Sequence, residues 1–216
     1  MHTFYKYHNQ DILDCTEREN IQETFAMKVI LILLVCIVAP LRMAAARLSC
    51  PNVPHISTRS VCSNACGTKV LYDHCIDAMR SGGIDPSPSH TEETTVYAIL
   101  AANQTWDSYR DTLKALSFQL QQNKSLSYAD GEAYMGCQDD YVAASNSISI
   151  IMNGCLENCY FEKLVSMYLE GMTSLENCRD RMLAPWMKVP LLYPKVERDR
   201  NKVLMAYLLG KLLVGL

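Results

Sequence analysis

The chain has 216 residues, 49% of them hydrophobic, with 20 Lys+Arg against 23 Asp+Glu and a formal net charge of −3. No basic tract offers a grip on a polyanion, which excludes nucleic acid and acidic polysaccharide as partners. Ten cysteines point instead to disulfide crosslinks and an oxidising compartment.

Residues 1–26 are polar and read as a start-site extension ahead of Met27. Met27-Lys28, the apolar run Val29–Leu41 and Ala44-Ala45-Ala46 then form the three parts of a signal peptide over residues 27–46. The alternative is an uncleaved signal anchor. Against it, the run is thirteen residues long where a membrane span needs about 20, and Arg42 comes directly after it. Cleavage leaves residues 47–216 as one exported domain, free of the membrane, with 16 Lys+Arg, 18 Asp+Glu and eight cysteines.

In the mature part, Cys66 and Cys75 bracket a turn between two short helical segments, a hairpin over about residues 56–80. The run Ser81-Gly82-Gly83-Ile84-Asp85-Pro86-Ser87-Pro88 separates the hairpin from the remainder of the chain. Ser89-x-x-Glu92 offers a capping box for a first long helix. Its apolar stripe is Val96, Ile99, Ala102, Trp106, Tyr109, Leu113, Leu116 and Leu120, spaced alternately by three and four. Ser127-x-x-Asp130 opens a second helix with Tyr134, Cys137, Tyr141, Ala144, Ile148 and Ile151 on its stripe. A third carries Phe161, Leu164, Tyr168, Met172, Leu175, Cys178 and Met182. After a proline-bracketed loop, in which Trp186-Met187 would plug the bundle's end, a last helix spans about Glu197–Leu213. Four helices with short connections predict an all-α fold, an antiparallel four-helix up-down-up-down bundle over about residues 91–215. No strand-period run competes with it.

Cys137 and Cys178 lie on the core stripes of the second and third helices, so a bridge between them would tie those helices together. Two buried free thiols are the alternative. Helices of about ten residues are marginal in water, which predicts a Cys66–Cys75 staple for the hairpin. A zinc site from His74 with Cys62, Cys66 and Cys75 has the right ligand types but no C-x2-C pair. Of the remaining four, Cys155 could close on Cys159 at the bend between the second and third helices, and Cys50 on Cys62.

No G-x-S-x-G, H-E-x-x-H or glycine-rich phosphate loop is present, so the chain reads as a non-enzyme that works by contact, without cofactor or metal. Sequons stand at Asn103-Gln104-Thr105, inside a helical pattern, and at Asn123-Lys124-Ser125, in an interhelix stretch that suits glycosylation better.

The ordered cysteine motifs resemble those of the plant invertase and pectin methylesterase inhibitors, in the branch that includes pollen allergens. Cys66-Gly67-Thr68 with Tyr72-Asp73-His74-Cys75 is similar to the family's hairpin motif. Gly136-Cys137-Gln138-Asp139-Asp140-Tyr141-Val142-Ala143 and Asn177-Cys178-Arg179 match its third and fourth cysteines. The match covers about Ile56–Leu213. It implies a disulfide-stapled helical hairpin on a four-helix bundle, secreted to the apoplast or cell wall. The implied activity is non-covalent inhibition of pectin methylesterase or acid invertase by a monomer in a 1:1 complex that occludes the substrate cleft. A helical-bundle ligand or structural protein of the wall, pollen or seed is the alternative.

Three features depart from the family: the four extra cysteines, the sequence Gly171-Met172-Thr173-Ser174-Leu175 before the fourth cysteine, and the bend. The better-known invertase inhibitors insert a Pro-Lys-Phe loop into the enzyme. The equivalent bend here reads Asn158-Cys159-Tyr160-Phe161-Glu162-Lys163. If that bend is used, Tyr160 and Lys163 are the natural contacts, an aromatic and a flexible cation suited to a carboxylate-bearing cleft. Phe161 reads as the start of the third helix's stripe, and Asp139-Asp140 as a solvated face.

Overall fold

A computed structural model describes residues 49–122, 126–185 and 191–214. The start-site extension, the signal peptide, the Asn123 sequon and the Trp186-Met187 loop lie outside the described residues. Two short helices, α1 (Thr58–Ala65) and α2 (Lys69–Ser81), form the hairpin. Four long ones come after it: α3 (Thr94–Gln122), α4 (Tyr128–Ile150), α5 (Leu164–Met182) and α6 (Tyr193–Lys211). A π-helical turn, Ile151–Leu156, extends α4. Each long helix packs on its sequence neighbours and α6 closes back on α3, a four-helix bundle. The hairpin lies against α3 and α6.

Local chemistry sets the helix starts. Ser57, Thr68 and Ser127 take extended backbone, and their hydroxyls accept the amides of Ser60, Leu71 and Asp130. The Ser89 capping box is not used. Residues 91–93 instead form a strand, β2 (Thr91–Glu93), paired antiparallel with β1 (His55–Ser57), so α3 starts at Thr94. Tyr97 locks this ribbon to the bundle: its hydroxyl donates to the Ile56 carbonyl at 2.8 Å and accepts the Glu92 amide at 3.1 Å.

The stripes of α4 and α5 are buried largely as their spacing predicts, with Tyr134, Cys137, Tyr141, Ile148, Leu164, Tyr168 and Leu175 fully enclosed. On α3 the buried face is shifted. It runs through Tyr97, Ala101, Thr105, Tyr109, Thr112 and Leu116, while Val96, Ile99, Trp106 and Leu113 are half-buried at its edges. Around Ser108 and Thr112 this face meets Asp199 of α6, which is buried and accepts hydrogen bonds from Ser108 (2.5 Å), Thr112 (2.5 Å) and Tyr141 (2.8 Å). Small hydroxyl side chains must therefore face the core where a hydrophobic stripe would put leucines. Tyr109 and Tyr141 stack edge-on beside this cluster, centroids 5.5 Å apart.

Three disulfides are present among the described residues: Cys137–Cys178, Cys62–Cys75 and Cys50–Cys159. The expected Cys66–Cys75 bridge is corrected to Cys62–Cys75. Cys66 ends α1 at the turn itself, about 9 Å along the helix axis from the level of Cys75. Cys62, one turn back, stands opposite Cys75 with 5.7 Å between Cα atoms, within the range a disulfide spans. The Cys155–Cys159 and Cys50–Cys62 pairings are likewise corrected. Cys155 is buried in the core from the π turn, and Cys159, half-buried against the core, pairs with the buried Cys50. Cys66 and Cys155 remain as buried thiols, and burial pushes the Cys66 thiol up to about 11.

Peptide mapping of the native chain should therefore recover the 62–75 linkage. Alkylation without reduction should label Cys66 and Cys155 only after unfolding. Rapid labelling of Cys62 in the native chain would refute the pairing.

Candidate protein interface

The bend at residues 157–163 joins the π turn to α5, and its conformation is fixed from several sides. The π turn ends α4 with the Glu157 amide on the Met152 carbonyl and the Tyr160 amide on the Cys155 carbonyl at 2.8 Å. Asn158 folds back, donating its side-chain amide to the carbonyls of Asn153 (2.8 Å) and Gly154 (3.3 Å). Both would otherwise be unsatisfied helix-end acceptors. Cys159 sits in the left-handed region at φ 55, a strained position for a residue with a Cβ.

What holds Cys159 there is its bridge to Cys50, 109 positions earlier. Cys50 is itself moored. Its amide donates to Glu93 at 3.0 Å, and the Ser49 hydroxyl donates to the other oxygen of that carboxylate at 2.9 Å. Burial pushes the Glu93 carboxyl up, but the Cys50 amide, the neighbouring Thr95 and Ser49 hydroxyls and the charge of His55 together hold it below its ordinary value. The lead-in, the β ribbon and the bend thus form one linked end of the molecule.

Two side chains project from that bend. Tyr160 is 45% exposed and its hydroxyl donates to Glu162 at 3.0 Å. That bond and the Glu162 charge push the phenol above its ordinary value. Lys163, also exposed, makes no ion pair among the described residues. Between them Phe161 is half-buried against the core and anchors the loop, as its phase with Leu164 and Tyr168 predicts. Rigid backbone, an exposed aromatic and an unspent cation are what a protein contact needs.

This architecture has a solved counterpart. It is similar in fold to a pectin methylesterase inhibitor. The structure is a crystal structure of mutant form A of that inhibitor from Arabidopsis, with a TM-score of 0.57 and 12% sequence identity. The match covers 72% of this chain and 96% of the inhibitor's. No protein-family model matches the sequence, and neither does any curated protein sequence. At such identity the likeness carries the fold.

The remaining expected features are scattered. Asn103 is half-buried in the middle of α3, and its sequon threonine, Thr105, is fully buried and donates to the Ala101 carbonyl. Asp139 is exposed, whereas Asp140 pairs with Arg181 of α5 at 3.0 Å. Cys62 and Cys75, taken up by a bridge, are closed to the zinc reading. No group of three or more His, Cys, Asp or Glu side chains among the described residues is placed to hold a metal. Nor is any helix among them long and apolar enough to cross a membrane.

Proposed function

We propose that this chain is a secreted proteinaceous inhibitor. It docks on a carbohydrate-active enzyme, pectin methylesterase or acid invertase, and closes the substrate cleft non-covalently. The observation that carries this reading is the moored bend, which presents Tyr160 and the cation of Lys163 from a backbone fixed by Cys50–Cys159. A rigid tip binds with little ordering cost, which favours affinity over adaptability. Similarity of fold to a pectin methylesterase inhibitor supports the reading and suggests that enzyme first. Glycosylation at Asn123 and export through the leader at residues 27–46 belong to the same proposal.

The test mixes the exported chain at near-equal molarity with a pectin methylesterase and, separately, with an acid invertase, and records residual activity. Inhibition of one identifies the target. Full activity of both rejects the proposal in favour of a bundle that acts as a ligand or wall component. Tyr160→Ala and Lys163→Ala should each weaken inhibition about tenfold, roughly 1.4 kcal/mol, without moving the thermal midpoint. Undiminished inhibition by both variants would place the contact elsewhere on the bundle.

A further inference from the structure

The outward face of α4 carries a feature that the bend does not use. Helix positions exposed to solvent from the start of α4 through the π turn form one row: Tyr128, Glu132, Met135, Asp139, Val142, Asn146, Ile150, Asn153 and Glu157. Its apolar members are well exposed, with Tyr128 at 84%, Met135 at 46%, Val142 at 47% and Ile150 at 52%. Apolar residues at heptad-like spacing on this outer face are left uncovered by the described residues.

The order of residues along the row says what would cover it. About the point between Val142 and Ala143 the central part of the row is self-complementary when reversed. Met135 comes opposite Ile150, Asp139 opposite Asn146, Glu132 opposite Asn153 and Val142 opposite Ala143, while at the ends Tyr128 comes opposite Glu157. From Glu132 to Asn153 each carboxylate then meets a carboxamide, which can donate to it, and each apolar side chain meets another. A parallel pairing of two such rows would instead put Glu132 on Glu132 and Asp139 on Asp139, a like-charge contact. Ala143, exposed beside Val142, keeps the centre small enough for two helix backbones to approach.

We infer that the free chain self-associates through α4, in an antiparallel two-fold dimer centred between Val142 and Ala143. The interface is isologous, so the same row serves both protomers and the assembly closes at two. Its central part, Met135–Ile150, is about 23 Å long. Some eleven exposed residues per protomer contribute, Ala143 and Gly154 included, fewer than the roughly 20–30 of a standard interface. The dimer is therefore weak and concentration-dependent. This inference does not rest on the proposed inhibition, because the row leaves out Tyr160 and Lys163.

The experiment is site-directed crosslinking of the exported chain with its native disulfides intact, alongside its mass by light scattering over a range of concentrations. Val142→Cys lies within one residue of the two-fold axis and should link to itself under mild oxidation. Met135→Cys alone should not, since the two copies of position 135 stand roughly 22 Å apart in this register. An equimolar mixture of Met135→Cys and Ile150→Cys should give the mixed dimer. Unmodified chain should gain mass toward a dimer with concentration, and Val142→Asp, with unchanged helical circular dichroism, should raise the dissociation constant at least tenfold. A monomer at every concentration, or self-linking of Met135→Cys as efficient as that of Val142→Cys, would overturn the antiparallel dimer.

Discussion

Removing Cys50 and Cys159 together, each replaced by alanine, is expected to lower the unfolding free energy by about 4–5 kcal/mol. The bridge closes a loop of 109 positions, against 41 for Cys137–Cys178 and 13 for Cys62–Cys75. If denatured-chain entropy dominates, deleting the three in turn should cost about 5, 4 and 3 kcal/mol. The first loss is a large share of a typical 5–15 kcal/mol stability, so the variant should unfold at a much lower denaturant midpoint. A second effect distinguishes this bridge from the others. Without it nothing covalent holds Cys159's position at positive φ, and the bend is free to relax. Inhibitory activity, where present, should then fall further than the population of folded chain explains. A loss under about 1 kcal/mol would mean that the hydrogen bonds of Ser49 and Cys50 to Glu93 already secure the lead-in.

Much of the fold is written in the spacing of large apolar side chains. Tyr134, Cys137, Tyr141 and Ile148 on α4, with Leu164, Tyr168, Leu175 and Cys178 on α5, repeat at helical period and are buried as that period requires. Legibility fails where burial is decided by something other than hydrophobicity. On α3 the inward residues include Ala101, Thr105, Ser108 and Thr112, and the last two answer a carboxylate on α6 that no window of α3 contains. The β ribbon is three residues per strand, too short for alternation to register, and it displaces a capping box that looks sound in isolation.

Cysteine pairing fails for a related reason. Sequence separation reports loop length and says nothing of which faces meet, so the short closures at Cys66–Cys75 and Cys155–Cys159 lose to bridges set by helix register. The bend itself is readable, since Tyr160 and Lys163 interrupt the stripe that Phe161 and Leu164 resume. Its mooring is not, because Cys50 and Cys159 meet only once the ribbon has brought the lead-in to that end of the bundle.

Asp199 is the second site with a large expected effect. Asp199→Ala would leave the hydroxyls of Ser108 and Tyr141 without their acceptor and open a cavity among three helices, at a cost of about 3–5 kcal/mol. Asp199→Asn keeps the size and the acceptor oxygen. Turned so that its carbonyl oxygen takes the bonds from Thr112 and Tyr141, which share one Asp199 oxygen, it directs its amide at the Ser108 hydroxyl at the edge of the core. That variant should cost only about 1 kcal/mol. The pair of variants also reads the protonation state. Burial raises the Asp199 carboxyl above its ordinary value, and the bonds from Ser108, Thr112 and Tyr141 and the charge of Lys195 only partly oppose this. Folding therefore favours the protonated acid. Its contribution is fully present below the unfolded carboxyl value of about 4 and is lost as pH rises through the higher folded value. Glu93 and Glu176 run the other way, since their folded values are lowered and their contributions are lost in acid. Urea unfolding of the unsubstituted chain and of Asp199→Asn, compared from neutral pH down to about 4, cancels those common carboxylates. The unsubstituted chain should gain on the variant as the pH falls. A gap that moves in the opposite direction would mean that the three hydroxyls hold Asp199 ionised in the core.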